Sequence, residues 1–148
     1  MTTPFPISPE DLTTDWLSAV LDCQVDAFTV KPLGEGVGIL GLVTRVTLEG
    51  KECPKTLIAK FQSPVADNRA VAGLYQMYER EITFYTEIAP TLSIRAPSCF
   101  HAGYDSASRA FVLLLEDLDQ YEIGDQVAGC SIAQCEQVVK ALAKFHAE

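Results

Sequence analysis

Gly36-Val37-Gly38-Ile39-Leu40-Gly41-Leu42-Val43, running straight into Thr44-Arg45-Val46-Thr47-Leu48, is the stretch on which the fold of this chain turns. Its glycines match G-x-G-x-x-G-x-V letter for letter, and that spacing opens two different phosphate-binding turns. In one, a helix follows and receives a dinucleotide pyrophosphate at its N-terminus. In the other, a second strand follows and the hairpin lies over the phosphates as a cover. Here Thr44, Val46 and Thr47 are β-branched and alternate roughly with their neighbours, which predicts a strand and therefore a hairpin. A glycine-rich turn with no ligand is the plainer alternative, and the glycines alone do not separate the two.

Outward from the hairpin, residues 28–33 read as its first strand, 49–54 as a polar turn and 56–61 as a third strand. That third strand, Thr56-Leu57-Ile58-Ala59-Lys60-Phe61, is apolar except for Lys60. A lysine in such a setting costs desolvation unless its ammonium meets an anion, or unless it points outward. Lys60 follows Gly41 by 19 residues, on the strand beside the glycine hairpin, where it could hold α- and β-phosphates. Residues 70–88 carry apolar side chains at helical spacing, with Pro90 closing the segment. On that helix Glu81 and Glu79 compete to pair with Lys60. Glu81 is preferred because Ile82, Phe84, Tyr85 and Ile88 surround it, whereas Glu79 lies roughly 160° around the helix.

The remaining elements follow the same logic. Ser8-Pro9-Glu10-Asp11 predicts a helix start, and Leu12, Trp16, Leu17, Val20 and Leu21 give a buried face over 9–21. Residues 99–103 and the continuous apolar run 110–115 predict two further strands. A polar, glycine-bearing stretch, 116–129, leads to a last helix opened by Ser131 with Gln134 in capping-box position. The sum is an α+β fold: a five-stranded, mostly antiparallel sheet with one major helix on it. The last helix ends with its apolar stripe still running, so it is expected to meet something else, a missing lobe or a second copy.

Composition bounds the function. The 148 residues suffice for one core, and 48% hydrophobic with 21% charged residues argues against disorder. A net charge of −9 without any Lys/Arg cluster argues against nucleic-acid partners and anionic membrane surfaces. The five cysteines, Cys23, Cys53, Cys99, Cys130 and Cys135, form no C-x-x-C pair, and read as reduced packing thiols of a cytoplasmic protein rather than as a zinc site. The N-terminus has no signal-peptide pattern, and no apolar run is long enough for a membrane span.

Several segments in order, namely the glycine hairpin, Ala59-Lys60, Arg80-Glu81-Ile82-Thr83-Phe84-Tyr85, Arg95-Ala96-Pro97, Leu115-Glu116-Asp117-Leu118 and Leu142-Ala143-Lys144-Phe145-His146-Ala147, resemble one superfamily. It is the aminoglycoside phosphotransferase and choline-kinase-like group, including its ecdysteroid-kinase-like branch. The resemblance implies a protein-kinase-like two-lobed fold and transfer of the γ-phosphoryl of ATP to a hydroxyl of a small-molecule alcohol. It implies an N-terminal lobe over 1–118, a hinge or linker over 119–130 and the first helix of a second lobe over 131–148. In it Gly36, Gly38 and Gly41 cover the phosphates, Lys60 binds them, Glu81 orients Lys60, and the backbone of Glu116 and Leu118 meets the adenine edge. His146 matches a position of structural rather than catalytic role.

One departure matters. That superfamily carries its base in an H-G-D-x-x-x-x-N loop and a magnesium-binding aspartate further on. Here the histidines are followed by Ala102 and Ala147. The Mg2+ ligands are therefore expected in a lobe beyond Glu148, and the chain alone is expected to be inactive. The rival expectation is a non-catalytic, pseudokinase-like binding or scaffolding module, whose last helix meets a partner or a second copy.

Overall fold

A computed structural model describes residues 5–34, 40–122, 124–125 and 127–147. Five strands form one sheet: β1 (Gln24–Pro32), β2 (Gly41–Lys51), β3 (Thr56–Gln62), β4 (Cys99–Asp105) and β5 (Ala110–Glu116). Their spatial order is β1-β2-β3-β5-β4. Every pairing is antiparallel, where the sequence had promised only a mostly antiparallel sheet. The strand after Gly41 is thus present, and the helix that a dinucleotide-type turn requires is not.

Period-two alternation divides the sheet into two faces. Val46, Leu48, Leu57, Ala59, Phe61, Val112 and Leu114 point to one of them, together with Leu12 and Leu17. Helix α1 (Thr14–Leu21) covers this face with Trp16, Val20 and Leu21. The predicted helix over 9–21 is in fact two pieces, a 3-10 turn at Pro9–Asp11 and then α1. Between them Leu12 turns extended and buries its side chain, and Thr13 caps α1 by accepting from the Trp16 N–H at 3.2 Å. Asp11 fastens the first turn by accepting from the N–H groups of Ile7 and Ser8.

Phe111, Leu113 and Leu115 point to the opposite face and meet Ala72, Tyr78, Ile82 and Tyr85. These come from α2 (Ala66–Leu74) and α3 (Met77–Thr83), which continues as a π-helical turn over Phe84–Ile88 and a 3-10 turn at Ala89–Thr91. The helix predicted over 70–88 is therefore broken. Gln76 takes a left-handed conformation, φ 52°. Just before it, the Arg109 guanidinium lies so close to Gly73 that a Cβ there would sit 2.3 Å from it. Thr86 donates to the Ile82 carbonyl at 2.9 Å within the π turn, a back-bond that competes with the regular ladder.

The last helix, α4 (Ile132–Ala147), has the expected reciprocal cap. The Ser131 N–H donates to the Gln134 side chain at 2.8 Å and the Gln134 N–H to Ser131 Oγ at 3.2 Å. Its apolar residues stand open, Ile132 being 89% and Val138 and Val139 each 57% exposed. Among the described residues, no helix is long and apolar enough to cross a membrane.

Candidate functional site

The face bearing α3 is where the chemistry-bearing residues gather. On β3, Leu57, Ala59 and Phe61 are buried against the α1 side, so Ile58, Lys60 and Gln62 project to the other. Lys60 lies opposite Val43 on β2 and Leu113 on β5, in the middle of the sheet. Its ammonium meets the Glu81 carboxylate in an ion pair, the two side chains being 25% and 28% exposed. A lysine on an apolar strand thus has its anion, and a quarter of it still faces outward to meet a second one. Glu79, the competing acid, is exposed. Of the two acids weighed by rotation about the helix, it is Glu81 that meets Lys60.

Tyr78 explains why α3 presents Glu81 correctly. One turn before Glu81, on the same helical face, Tyr78 stacks on Phe111 with ring centroids 4.3 Å apart. Its buried hydroxyl accepts from the Ser63 N–H at 3.1 Å and donates to the Leu40 carbonyl at 2.5 Å. Leu40 immediately precedes Gly41, so this hydroxyl joins the exit of the glycine segment to the helix that holds Glu81. The sequence had offered Tyr78 only as an apolar position; its polar end carries no periodicity signal. Gly41 itself pairs with Gln62, and a Cβ at Gly41 would come within 3.1 Å of the Phe61 carbonyl oxygen. Gly36 and Gly38 lie outside the described residues. In the π-helical turn that continues α3, the Tyr85 hydroxyl has its pKa raised, first by burial and then by the charge of Glu81.

At the other end of the face, β5 runs into Glu116-Asp117-Leu118. The Glu116 N–H donates to the Ser98 carbonyl at 2.8 Å, and its carboxylate accepts from the Ser98 N–H at 3.0 Å and pairs with Arg95. The Arg95 guanidinium, with the Ser98 amide assisting, holds the Glu116 carboxyl below its usual range. Asp117 turns the other way, its side chain only 3% exposed, and meets Arg45 of β2. There Arg45 Nη2 donates to Oδ1 at 3.0 Å, while Nε stands 2.6 Å from Oδ2 without the alignment of a hydrogen bond. Asp117 raises the pKa of Arg45. Leu118 is half-buried, and its carbonyl accepts from the Tyr121 N–H at 2.9 Å. Sequence reasoning assigned no partner to Arg45 or Asp117. The one available signal was an arginine inside a β-branched strand together with two acids ending an apolar one.

Three of the candidate residues, Gly41, Lys60 and Glu81, are therefore brought to one end of the face, and Glu116 and Leu118 to the other. Among the described residues no group of three or more His, Cys, Asp or Glu side chains could hold a metal ion.

The model of the Ecdysteroid kinase-like family matches residues 35–148, from the glycine segment through α4. The chain belongs to this family. The match begins after β1, so α1 and the first strand stand outside it. No curated protein and no solved structure matches the chain. Membership in this kinase-like family is in keeping with a small-molecule phosphotransferase, and kinase-like proteins generally use ATP and Mg2+.

Proposed function

We propose that the α3 face of the sheet is the nucleotide-binding part of an ATP-dependent phosphotransferase acting on a hydroxyl of a small molecule. The observation that carries this reading is the Lys60–Glu81 ion pair, set beside the strand that leaves the glycine segment. In this reading the glutamate fixes the ammonium, and the ammonium contacts phosphate oxygens of ATP. Gly41 lies at the same end of the face, and the glycine motif of which it is the last member is assigned to the same phosphates. The adenine edge meets the backbone of 116–118. Because the Glu116 N–H and the Leu118 carbonyl already have protein partners, other backbone atoms of that segment read the base.

The chemistry of the donor set fits a nucleotide triphosphate and not its metal. A partly open lysine supports an anion, while the described residues offer no metal cluster, so in this reading the Mg2+ ligands are not among the described residues. The exposed apolar stripe of α4 leaves a scaffolding role through self-association as the competing reading. The test is titration of the chain with a fluorescent ATP analogue, with and without Mg2+, against Lys60→Ala. Saturable binding that the substitution weakens at least about tenfold, the scale of a lost charge-assisted contact, supports the reading. Absence of binding by the unsubstituted chain overturns it.

A further inference from the structure

The two acids that end β5 are held from opposite sides by two arginines distant in sequence. Arg95 and the Ser98 backbone take Glu116, and Arg45 takes Asp117. The second pair is the less expected. Arg45 lies opposite Ile58, and Ile58 opposite Leu115, so its side chain must reach from β2 past β3 to the end of β5. Two interstrand steps span about 10 Å, a gap that the extended arginine and the aspartate side chain close between them. A side chain stretched across a sheet face gives up rotamer freedom, and burying the Asp117 carboxylate costs desolvation as well. An apolar pair would hold the strands together without either cost, so stability alone accounts poorly for this pair.

What the pair does achieve is placement. Arg45 stands four residues after Gly41 on the same strand, while Asp117 sits inside the 116–118 segment. Along β3, Lys60 faces Leu113 and Leu57 faces Glu116, a separation of about 10 Å at the strand rise. One contact therefore ties the strand that leaves the phosphate end to the segment at the base end. We propose that Arg45 is a positioning residue which, through Asp117, sets the base-recognition segment at a fixed distance from the Lys60–Glu81 pair and so contributes selectively to binding the nucleoside half of ATP. Arg95 braces the same segment from behind through Glu116. This inference rests on the nucleotide reading above, and adds the residue that gives the site its length.

The experiment compares binding of Mg–ATP, adenosine and inorganic tripolyphosphate to the unsubstituted chain, Arg45→Gln and Arg45→Lys, with far-ultraviolet circular dichroism as the check on folding. The expected result for Arg45→Gln is a loss of roughly tenfold for ATP and adenosine, with tripolyphosphate unchanged in both variants. Lys at 45 keeps the charge but loses the fork, so it recovers only part of the affinity. Equal weakening of all three ligands marks a merely structural pair and overturns the proposal, as does unchanged binding of all three. Loss of the fold in both variants overturns it too. An unsubstituted chain that binds no ATP instead defeats the nucleotide reading itself, a result distinguishable from the others because it appears before any substitution is made.

Discussion

The two faces of the sheet are built from the same strands yet to opposite ends. The α1 face is sealed: Val46, Leu57, Ala59, Phe61, Val112 and Leu114 are all fully buried there. The α3 face keeps Lys60 and Glu81 each about a quarter exposed and carries the Arg45–Asp117 pair towards its other end. A face that exists only to hold the fold has no reason to leave charge partly in water. The difference teaches where stability and function reside in this chain: substitutions of the sealed α1-face residues should unfold it, whereas those of the partly exposed pair Lys60 and Glu81 should spoil binding while leaving the fold.

The sharpest way to break that division is Phe61→Ala. This ring is completely buried on the sealed face, between Leu42 and Val112 in the sheet register. Its removal should cost about 3–5 kcal/mol in urea unfolding. Lys60→Met, the adjacent residue on the opposite face, should leave the unfolding midpoint nearly unchanged and weaken nucleotide binding by on the order of tenfold or more. If Lys60→Met unfolded the chain as Phe61→Ala does, the separation of faces would be wrong.

A finer test lies within α3. Glu81→Gln removes the charge that holds Lys60 and should weaken nucleotide binding several-fold, roughly the worth of one partly exposed ion pair. Glu79→Gln, two residues earlier and exposed, should change nothing measurable. Tyr78→Phe deletes one oxygen and leaves the Ser63 N–H and the Leu40 carbonyl without their shared partner, at a cost of about 1–3 kcal/mol. That cost should register in unfolding and in nucleotide affinity together, because the same hydroxyl holds the exit of the glycine segment.

Much of this was legible in the residues because it is local. β-branched alternation after Gly41 settled strand against helix, and the 3.6-residue period chose Glu81 over Glu79. The break at Gln76 was not legible. Nothing in residues 74–76 interrupts a helical pattern, and the interruption is tied instead to Arg109 lying against Gly73 and to Tyr78 fastening α3 to Leu40. The Arg45–Asp117 and Arg95–Glu116 pairs escaped for the same reason. Their members are 72 and 21 residues apart, and only the strand order brings them together. What sequence periodicity reports is which way a side chain points; which distant partner it finds there is a property of topology.

The smallest expected effect comes from the one histidine that belongs to the sealed face. His101 lies opposite Leu114 in the register and meets the Trp16 ring edge-on, with centroids 5.2 Å apart. Burial lowers its pKa from the ordinary 6.5. A lowered pKa means that the unfolded chain binds the proton more readily than the folded one. Its contribution to stability is therefore fully present above 6.5 and is lost as pH falls from there through the folded value. Unfolding midpoints measured by Trp16 fluorescence, the chain having a single tryptophan, should decline gently across that window. In His101→Phe the decline should be absent there, leaving only the steeper acid loss further down as carboxylates such as Glu116 are protonated and release their arginines. If His101→Phe retained the decline, the proton would be entering elsewhere, and the α1 face would be less sealed than its burial indicates.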